Sequence, residues 1–282
     1  MPGPHLFLCT DLDRTALPNG PQPESPRARS LFARLAGRDG VTLAYVTGRH
    51  RKLVERAIAN YGLPQPAFAI TDVGTKIHAR EDGVWHLWPD WEDEIDRDWA
   101  GYDHAGISQL FRDLKPLRLQ ELAKQSLHKL SYYLPVQAHS AALHDEMQGR
   151  LRERGIRASL IWSVDEPAGV GLLDVLPERA TKLHAVEFLR ERIGVGLDRT
   201  LFAGDSGNDL QVMASAVPSV LVANAADHVK ASALEQAHAA GNDDTLYIAR
   251  GGYLGMNGNY SAGILEGVVH FMPELAEWIE NG

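Results

Sequence analysis

Two aspartates separated by one residue, Asp11 and Asp13, stand in the segment Asp11-Leu12-Asp13-Arg14-Thr15, which follows the apolar run Leu6-Phe7-Leu8-Cys9 after the single residue Thr10. Alternate residues of an extended chain point the same way, so both carboxylates can face one site. One can attack phosphorus while the other handles protons on the leaving oxygen. Such a pair also occurs as a solvated or turn-forming pair; its place after an apolar run favours chemistry.

Three further segments carry matching chemistry. Thr47-Gly48-Arg49 follows the apolar run Val41 to Val46. A hydroxyl and free backbone N–H groups at a helix start can hold phosphate oxygens, although a threonine there can also be a plain cap. Lys182 falls near the start of a helical stretch, where a lysine opposes the helix dipole unless an anion is bound nearby; the bland alternative is a solvated surface lysine. Gly204-Asp205-Ser206-Gly207-Asn208-Asp209 is the strongest local signal. Two acids, an amide and two glycines in a tight loop suit Mg²⁺, which takes oxygen ligands and shares a substrate phosphate.

Together the segments say more. Asp11, Asp13, Asp205 and Asp209 would crowd one crevice. Two unit charges 4 Å apart repel by about 4 kcal/mol at an effective dielectric of 20. Such a crevice accepts a phosphate dianion only with added positive charge, which Mg²⁺ and Lys182 would supply. Phosphoryl transfer depends mainly on that neutralisation and on positioning.

Buried strands must hold these loops. Near-continuous apolar runs precede the Asp11, Thr47 and Gly204 segments, as in strands buried on both faces of a parallel sheet; Ala67 to Ile70 and Ser219 to Val222 add two more. Helical patterns fall between them: from Ser25-Pro26, taken as N-cap and first turn, to about Ala36; from Arg49 to Asn60; and from Thr181 to Ile193, stopped by Gly194. The alternation predicts an α/β fold with a doubly wound, parallel-sheet (Rossmann-like) core, whose ligands sit beyond the carboxyl ends of the strands.

The middle of the chain differs. Trp85, Trp88, Trp91 and Trp99 crowd an acidic stretch. A helix from about Ser108, an alternating strand at Lys129 to Leu134, a helix from Ala141 to Arg154 and strands at Leu160 to Val164 and Gly171 to Leu176 follow. These predict an inserted α/β domain over 84–172, with 1–83 and 173–282 forming the core. The tryptophans could stack on a sugar, but the core of a small domain accounts for them better.

Composition narrows the class. The 282 residues are 44% hydrophobic and 23% charged, ordinary for a soluble globular protein, with a formal net charge of −9 that gives nucleic-acid binding no electrostatic support. No apolar run could span a bilayer, and Met1-Pro2-Gly3-Pro4-His5 lacks a signal peptide's pattern. Cys9 is the only cysteine, so no intrachain disulfide can form. A cytoplasmic protein without membrane or nucleic-acid partners is expected. The twelve histidines show no ligand spacing, Cys9 reads as a buried filler, and no P-loop pattern is present.

The motifs in this order resemble the haloacid-dehalogenase superfamily: Asp11 to Thr15 its first, Thr47 its second, Lys182 its third, Gly204 to Asp209 its fourth. The inserted unit resembles the α/β cap of the type II branch. Within that branch the chain looks most like the sucrose-phosphate phosphatase family, through Ala44 to Arg49, Thr71 to Thr75, Lys129 to Tyr132, Asp174 to Pro177 and Gly263 to Gly267. The resemblance covers about residues 6–271. It implies a Mg²⁺-dependent phosphatase for a small sugar phosphate, with a cap that can close over the crevice. Asp11 would form the aspartyl-phosphate; Asp13 would protonate the departing sugar oxygen and then activate water. Asp11, the backbone carbonyl of Asp13 and Asp205 would hold the metal, with Asp209 in support. Thr47, Gly48, Lys182 and Asn208 would hold the phosphate, and Lys129 would contact the sugar. Arg14, Thr75-Lys76 and a long Gly251 to Asn259 segment depart from the pattern without touching the chemistry. Sucrose 6-phosphate, mannosylfructose phosphate and related substrates stay open, and a sugar phosphomutase or a non-catalytic sugar-phosphate binder is the alternative. The sequence leaves the oligomeric state unknown.

Overall fold

The computed structural model describes residues 5–165 and 168–280. Met1 to Pro4, considered above for a signal peptide, lie outside the described residues. In chain order the strands are β1 (Leu6–Thr10), β2 (Val41–Val46), β3 (Phe68–Thr71), β4 (Lys76–Glu81), β5 (Val84–Leu87), β6 (Arg118–Leu119), β7 (Leu130–Leu134), β8 (Ala158–Asp165), β9 (Val170–Pro177), β10 (Thr200–Gly204), β11 (Ser219–Leu221) and β12 (Leu246–Ile248). They form an eight-stranded sheet of order β12-β11-β10-β1-β2-β3-β4-β5 and a four-stranded sheet of order β6-β7-β9-β8.

The large sheet is parallel from β12 to β3 and antiparallel at β4 and β5. Every residue of β1 and β10 is buried, as strands covered on both faces require. The chain runs from β1 through β2 to β3 on one side and later fills β10, β11 and β12 on the other. The order therefore reverses at β1, the place where an open α/β sheet presents a ligand crevice. The helix Ala28–Ala36 covers one face with Leu31, Phe32 and Leu35. Beside it lies Ser261–Phe271, buried along most of its length. A Cβ on Gly267 would lie 2.5 Å from the Val220 side chain, so glycine sets how closely this helix meets β11.

The chain divides into Met1–Leu87 with Lys182–Gly282, and Trp88–Thr181. The sequence puts the boundaries at 84 and 172; the structure moves both. Val84–Leu87 pairs with β4 as the last strand of the large sheet, and Val170–Pro177 pairs with β7 and β8. In the Trp88–Thr181 unit the four-stranded sheet is antiparallel. Leu130, Tyr132 and Leu134 of β7 pack into a core with Trp99, Ile107, Phe111, Met147 and Leu151. Alternation turns the intervening Ser131 away from that core, where it donates to Asp174 Oδ1 at 2.5 Å, and Lys129 Nζ lies 3.4 Å from Asp174 Oδ2. Trp91 and Trp99 are fully buried and Trp99 belongs to the core of this unit, whereas Trp85, expected there too, lies on β5 and packs against the core of the large sheet because its strand joins that sheet.

Two helix starts differ from expectation. Ser25 is not an N-cap: the helix begins at Ala28 after Arg27, and the Ser25 hydroxyl accepts instead from the backbone N–H of Asn257. The helix expected from Ser108 runs His104–Leu110, because Asp103 caps it by accepting from the Gly106 N–H at 2.7 Å.

Candidate active site

Asp11 follows β1 directly, and its N–H donates to the Ala203 carbonyl of β10, which locks the motif loop to the neighbouring strand. Its carboxylate is 5% exposed. Lys182, the first residue of the helix Lys182–Arg192, sends its ammonium into the same place. It donates to Asp11 Oδ1 at 2.8 Å, Asp209 Oδ1 at 2.7 Å and Asn208 Oδ1 at 3.0 Å. At 3% exposure Lys182 is no solvated surface lysine. Burial works against its charge, but Asp209 and Asp11 hold the ammonium above its ordinary pKa.

The loop after β10 is built around Asp209. Its Oδ2 accepts from the N–H groups of Asp205 and Ser206 at 3.2 and 3.1 Å. A Cβ on Gly204 would lie 2.6 Å from the Asp209 carboxyl carbon, so glycine is what lets that carboxylate tuck beneath the strand end. Asp209 is thereby spent on the loop and on Lys182. Asp205 is 5% exposed and accepts from the Thr15 hydroxyl at 3.3 Å.

One carboxylate oxygen from each of Asp11, Asp205 and Asp209 falls within 4.8 Å of the others. Burial pushes the Asp11 carboxyl up to about 7, against the pull of Lys182 and with the help of Asp209 and Asp205. Burial and then Asp209 push Asp205 up to about 6, with Arg14 and Thr15 pulling the other way. Three buried carboxylates against one buried ammonium leave a surplus of negative charge, which an oxygen-liganded divalent cation would relieve. The donor set fits such an ion.

Asp13 stands apart from that cluster. Arg49 grips it with both arms, and Asn19 donates to it at 2.7 Å. Burial would raise the Asp13 carboxyl, but the hydrogen bonds from Arg49 and Asn19 outweigh it and hold the group below the usual carboxylate range. Thr47 is buried behind β2, and its Oγ1 accepts from the Arg49 N–H at 3.2 Å. It does not cap the following helix, which runs Arg51–Tyr61 with His50 at the N-cap. Asp11, Asp13, Thr47, Gly48, Asp205 and Asn208 share one open cavity of about 380 Å³ with Arg14, Arg49, Leu53 and Ser206. Lys182 is not among the lining residues but donates to two of them, Asp11 and Asn208. Lys129 belongs to the other unit and is ion-paired there with Asp174.

Sequence reasoning gave no role to Arg14 or Arg49. Both line the cavity, and each faces one of the aspartates, Asp205 and Asp13 respectively. The cue in the sequence was their position, one residue after Asp13 and two after Thr47.

A cavity lined by Asp11, Asp13 and Asp205, with two arginines at its wall and a buried lysine bonded to Asp11 and Asn208, can hold a phosphate and a divalent cation together. The family model for sucrose-6F-phosphate phosphohydrolase matches residues 4–272. A putative haloacid-dehalogenase-like hydrolase of Nitrosococcus oceani is 53% identical over 277 residues, 98% of this chain and 74% of that protein. Mannosylfructose-phosphate phosphatase of Agrobacterium fabrum is 29% identical over 79% of this chain and 84% of its own length. The sucrose-phosphatase of Synechocystis, solved with sucrose and phosphate, superposes with a TM-score of 0.69 at 27% identity, over 95% of this chain and 98% of that one. Among the described residues no helix is long and apolar enough to cross a membrane.

Proposed function

The chain belongs to the sucrose-6F-phosphate phosphohydrolase family, and on that premise we propose that it is a Mg²⁺-dependent phosphatase that hydrolyses a disaccharide phosphate, sucrose 6-phosphate or mannosylfructose phosphate. The observation that carries this reading is the meeting of Asp11, Asp205, Asp209 and Lys182 at the mouth of β1 and β10.

The Asp11 carboxylate attacks phosphorus and the bond from phosphorus to the sugar oxygen breaks. Asp13 gives that oxygen its proton. The phosphoryl group then sits on Asp11 as an acyl phosphate. Asp13, now a carboxylate, takes a proton from water as the water attacks phosphorus, and inorganic phosphate leaves with Asp11 restored. Lys182, Thr47, Gly48 and Asn208 hold the phosphoryl oxygens. Asp11, the backbone carbonyl of Asp13 and Asp205 would hold magnesium, with Asp209 fixing the loop, and the ion would supply charge neutralisation to the phosphoryl group. Substrate choice belongs to the Trp88–Thr181 unit, where Lys129 holds a sugar hydroxyl.

The test is phosphate release from sucrose 6-phosphate, mannosylfructose phosphate and hexose phosphates, in Mg²⁺ and in EDTA, by wild type and by Asp11→Asn. Release should need Mg²⁺ and vanish in Asp11→Asn, since an amide cannot form the phosphoenzyme. Turnover in EDTA, or near wild-type turnover by a folded Asp11→Asn, would overturn the mechanism; phosphate release from hexose phosphates alone would overturn the substrate.

A further inference from the structure

Arg14 occupies a costly position. Its φ of 58° places a long L side chain in the left-handed region, where glycine or asparagine is accommodated far more readily. The backbone on both sides is clamped there. The Arg14 N–H donates to Asn19 Oδ1 at 2.8 Å, and its carbonyl accepts from Asn224 Nδ2 at 2.7 Å. Asn224 is itself fixed, 4% exposed, with its Oδ1 accepting from the Tyr260 N–H at 2.8 Å. Two separate segments of the chain, at Asn19 and Asn224, therefore hold the Arg14 backbone in this conformation, and Tyr260 in turn fixes Asn224.

What the conformation achieves is visible at the other end of the side chain. Arg14 Nε lies 3.3 Å from Asp205 Oδ2, and Nη2 donates to the Asn224 carbonyl at 3.3 Å. The Arg14 side chain is 42% exposed to the cavity, whereas that of Asp205 is 6% exposed. The other Asp205 oxygen is the one that Thr15 engages. The guanidinium thus stands against one of the two Asp205 oxygens, the one that Thr15 leaves free, on a base that cannot retreat.

We propose that Arg14 is a tethered counter-ion that competes with the divalent cation for Asp205 and so lowers the metal affinity of the site. The inference rests on the assignment of Asp205 as a metal ligand. A cation and a guanidinium repel each other, so a metal at Asp205 and a guanidinium 3.3 Å from the same carboxylate oppose one another, and the metal binds better once Arg14 gives up Asp205. Its half-exposed side chain can do so by rotating into the cavity, where its charge meets the phosphate of an incoming substrate. The site would then hold metal weakly when free and more tightly once a phosphate has engaged Arg14, which couples metal binding to substrate binding.

The experiment is calorimetric titration of the full-length protein with Mn²⁺, in wild type, Arg14→Asn, Arg14→Lys and Asp205→Asn, each checked for its fold by circular dichroism. Asparagine tolerates the left-handed backbone, so the variant removes the charge without adding strain. Arg14→Asn should bind Mn²⁺ about five-fold more tightly, the factor corresponding to about 1 kcal/mol for a partly exposed ion pair. Arg14→Lys, which keeps the charge but not the fork, should fall between. Inorganic phosphate should tighten Mn²⁺ binding in wild type and do so less in Arg14→Asn. Unchanged or weaker Mn²⁺ binding by Arg14→Asn would overturn the proposal while leaving the metal site standing, provided that Asp205→Asn abolishes binding. A wild-type protein that takes up no Mn²⁺, with or without phosphate, would overturn both.

Discussion

Arg49 holds both oxygens of Asp13, with Nε 2.7 Å from Oδ2 and Nη2 2.5 Å from Oδ1. A two-armed bond of this kind favours an ionised carboxylate. Asp13 can deliver a proton to a leaving oxygen only after that grip loosens, and a phosphate dianion in the same cavity is the natural competitor for the guanidinium. Arg49 then serves twice, first as the partner of Asp13 and then of the substrate. Arg49→Ala should lower kcat/KM by about ten-fold to a hundred-fold, as loss of a charged hydrogen bond worth about 1.5–3 kcal/mol implies. The loss should be similar for a sugar phosphate and a small aryl phosphate, because the phosphoryl group is common to both. Arg49→Lys should restore little of it, since an ammonium cannot span two oxygens. Wild-type kcat/KM in Arg49→Ala would remove Arg49 from the phosphate site.

Lys182 makes a different prediction, on stability. It is the buried cation between Asp11 and Asp209, with side chains 3%, 7% and 0% exposed. Removing one partner of a buried ion pair leaves an uncompensated charge and costs about 3–5 kcal/mol. Lys182→Ala should therefore unfold at a clearly lower urea concentration, besides losing activity. Millimolar Mg²⁺ should recover part of the lost stability, because the cation would neutralise the same carboxylates. A urea midpoint within experimental error of wild type would show that the trio is not held together as its distances indicate.

The parts of the fold that were legible in the sequence are those fixed by local pattern. The apolar runs before Asp11, Thr47 and Asp205 became β1, β2 and β10 because strands buried on both faces leave little choice of residue. The strands β4 and β5 went unread, since Lys76–Glu81 and Val84–Leu87 mix charged and exposed residues at the sheet's edge. Ser25 was read as a cap by a rule that sees four residues, while its hydroxyl is claimed by Asn257, 232 positions away. Lys182 could be read either as an anion ligand or as a solvated residue until its partners, 171 and 27 positions distant, were placed. Arg14 and Arg49 lie within the motifs, yet their pairing with Asp205 and Asp13 is a property of folded loops and not of spacing.

His78 predicts how stability depends on pH. It lies on β4, buried, edge-on to Trp85 at 6.5 Å between ring centroids. Burial, and then the charges of Arg51 and Lys76, push its imidazole down to about 4 from an ordinary 6.5. The folded protein thus keeps His78 neutral where the unfolded chain protonates it. Its contribution to stability is present in full above pH 6.5 and is lost as the pH falls from about 6.5 towards about 4. His78→Gln should flatten the fall of the urea midpoint over that window by up to one proton per molecule relative to wild type. Parallel curves for the two proteins between pH 6.5 and 4.5 would mean that His78 takes up its proton as readily folded as unfolded.

Lys129 separates substrate recognition from chemistry. The residues proposed for phosphoryl transfer all lie in Met1–Leu87 with Lys182–Gly282, and their proposed roles are toward phosphate and metal, with none particular to a sugar. Lys129 lies in the other unit, its side chain 18% exposed and poised 3.4 Å from Asp174, which also accepts from Ser131. That trio fixes an ammonium in one orientation, which suits a donor to a sugar hydroxyl better than a freely solvated lysine would. Lys129→Ala should cost roughly 1–3 kcal/mol of transition-state binding for the disaccharide phosphate. The same substitution should leave hydrolysis of a small aryl phosphate almost unchanged, because that substrate carries no sugar to be held. Ser131→Ala should reproduce a fraction of the effect by freeing Asp174 to turn towards Lys129. The deciding comparison is kcat/KM on both substrates for both variants. A loss confined to the disaccharide phosphate assigns Lys129 to the sugar, an equal loss on both makes it a structural support, and no loss on either removes it from the site.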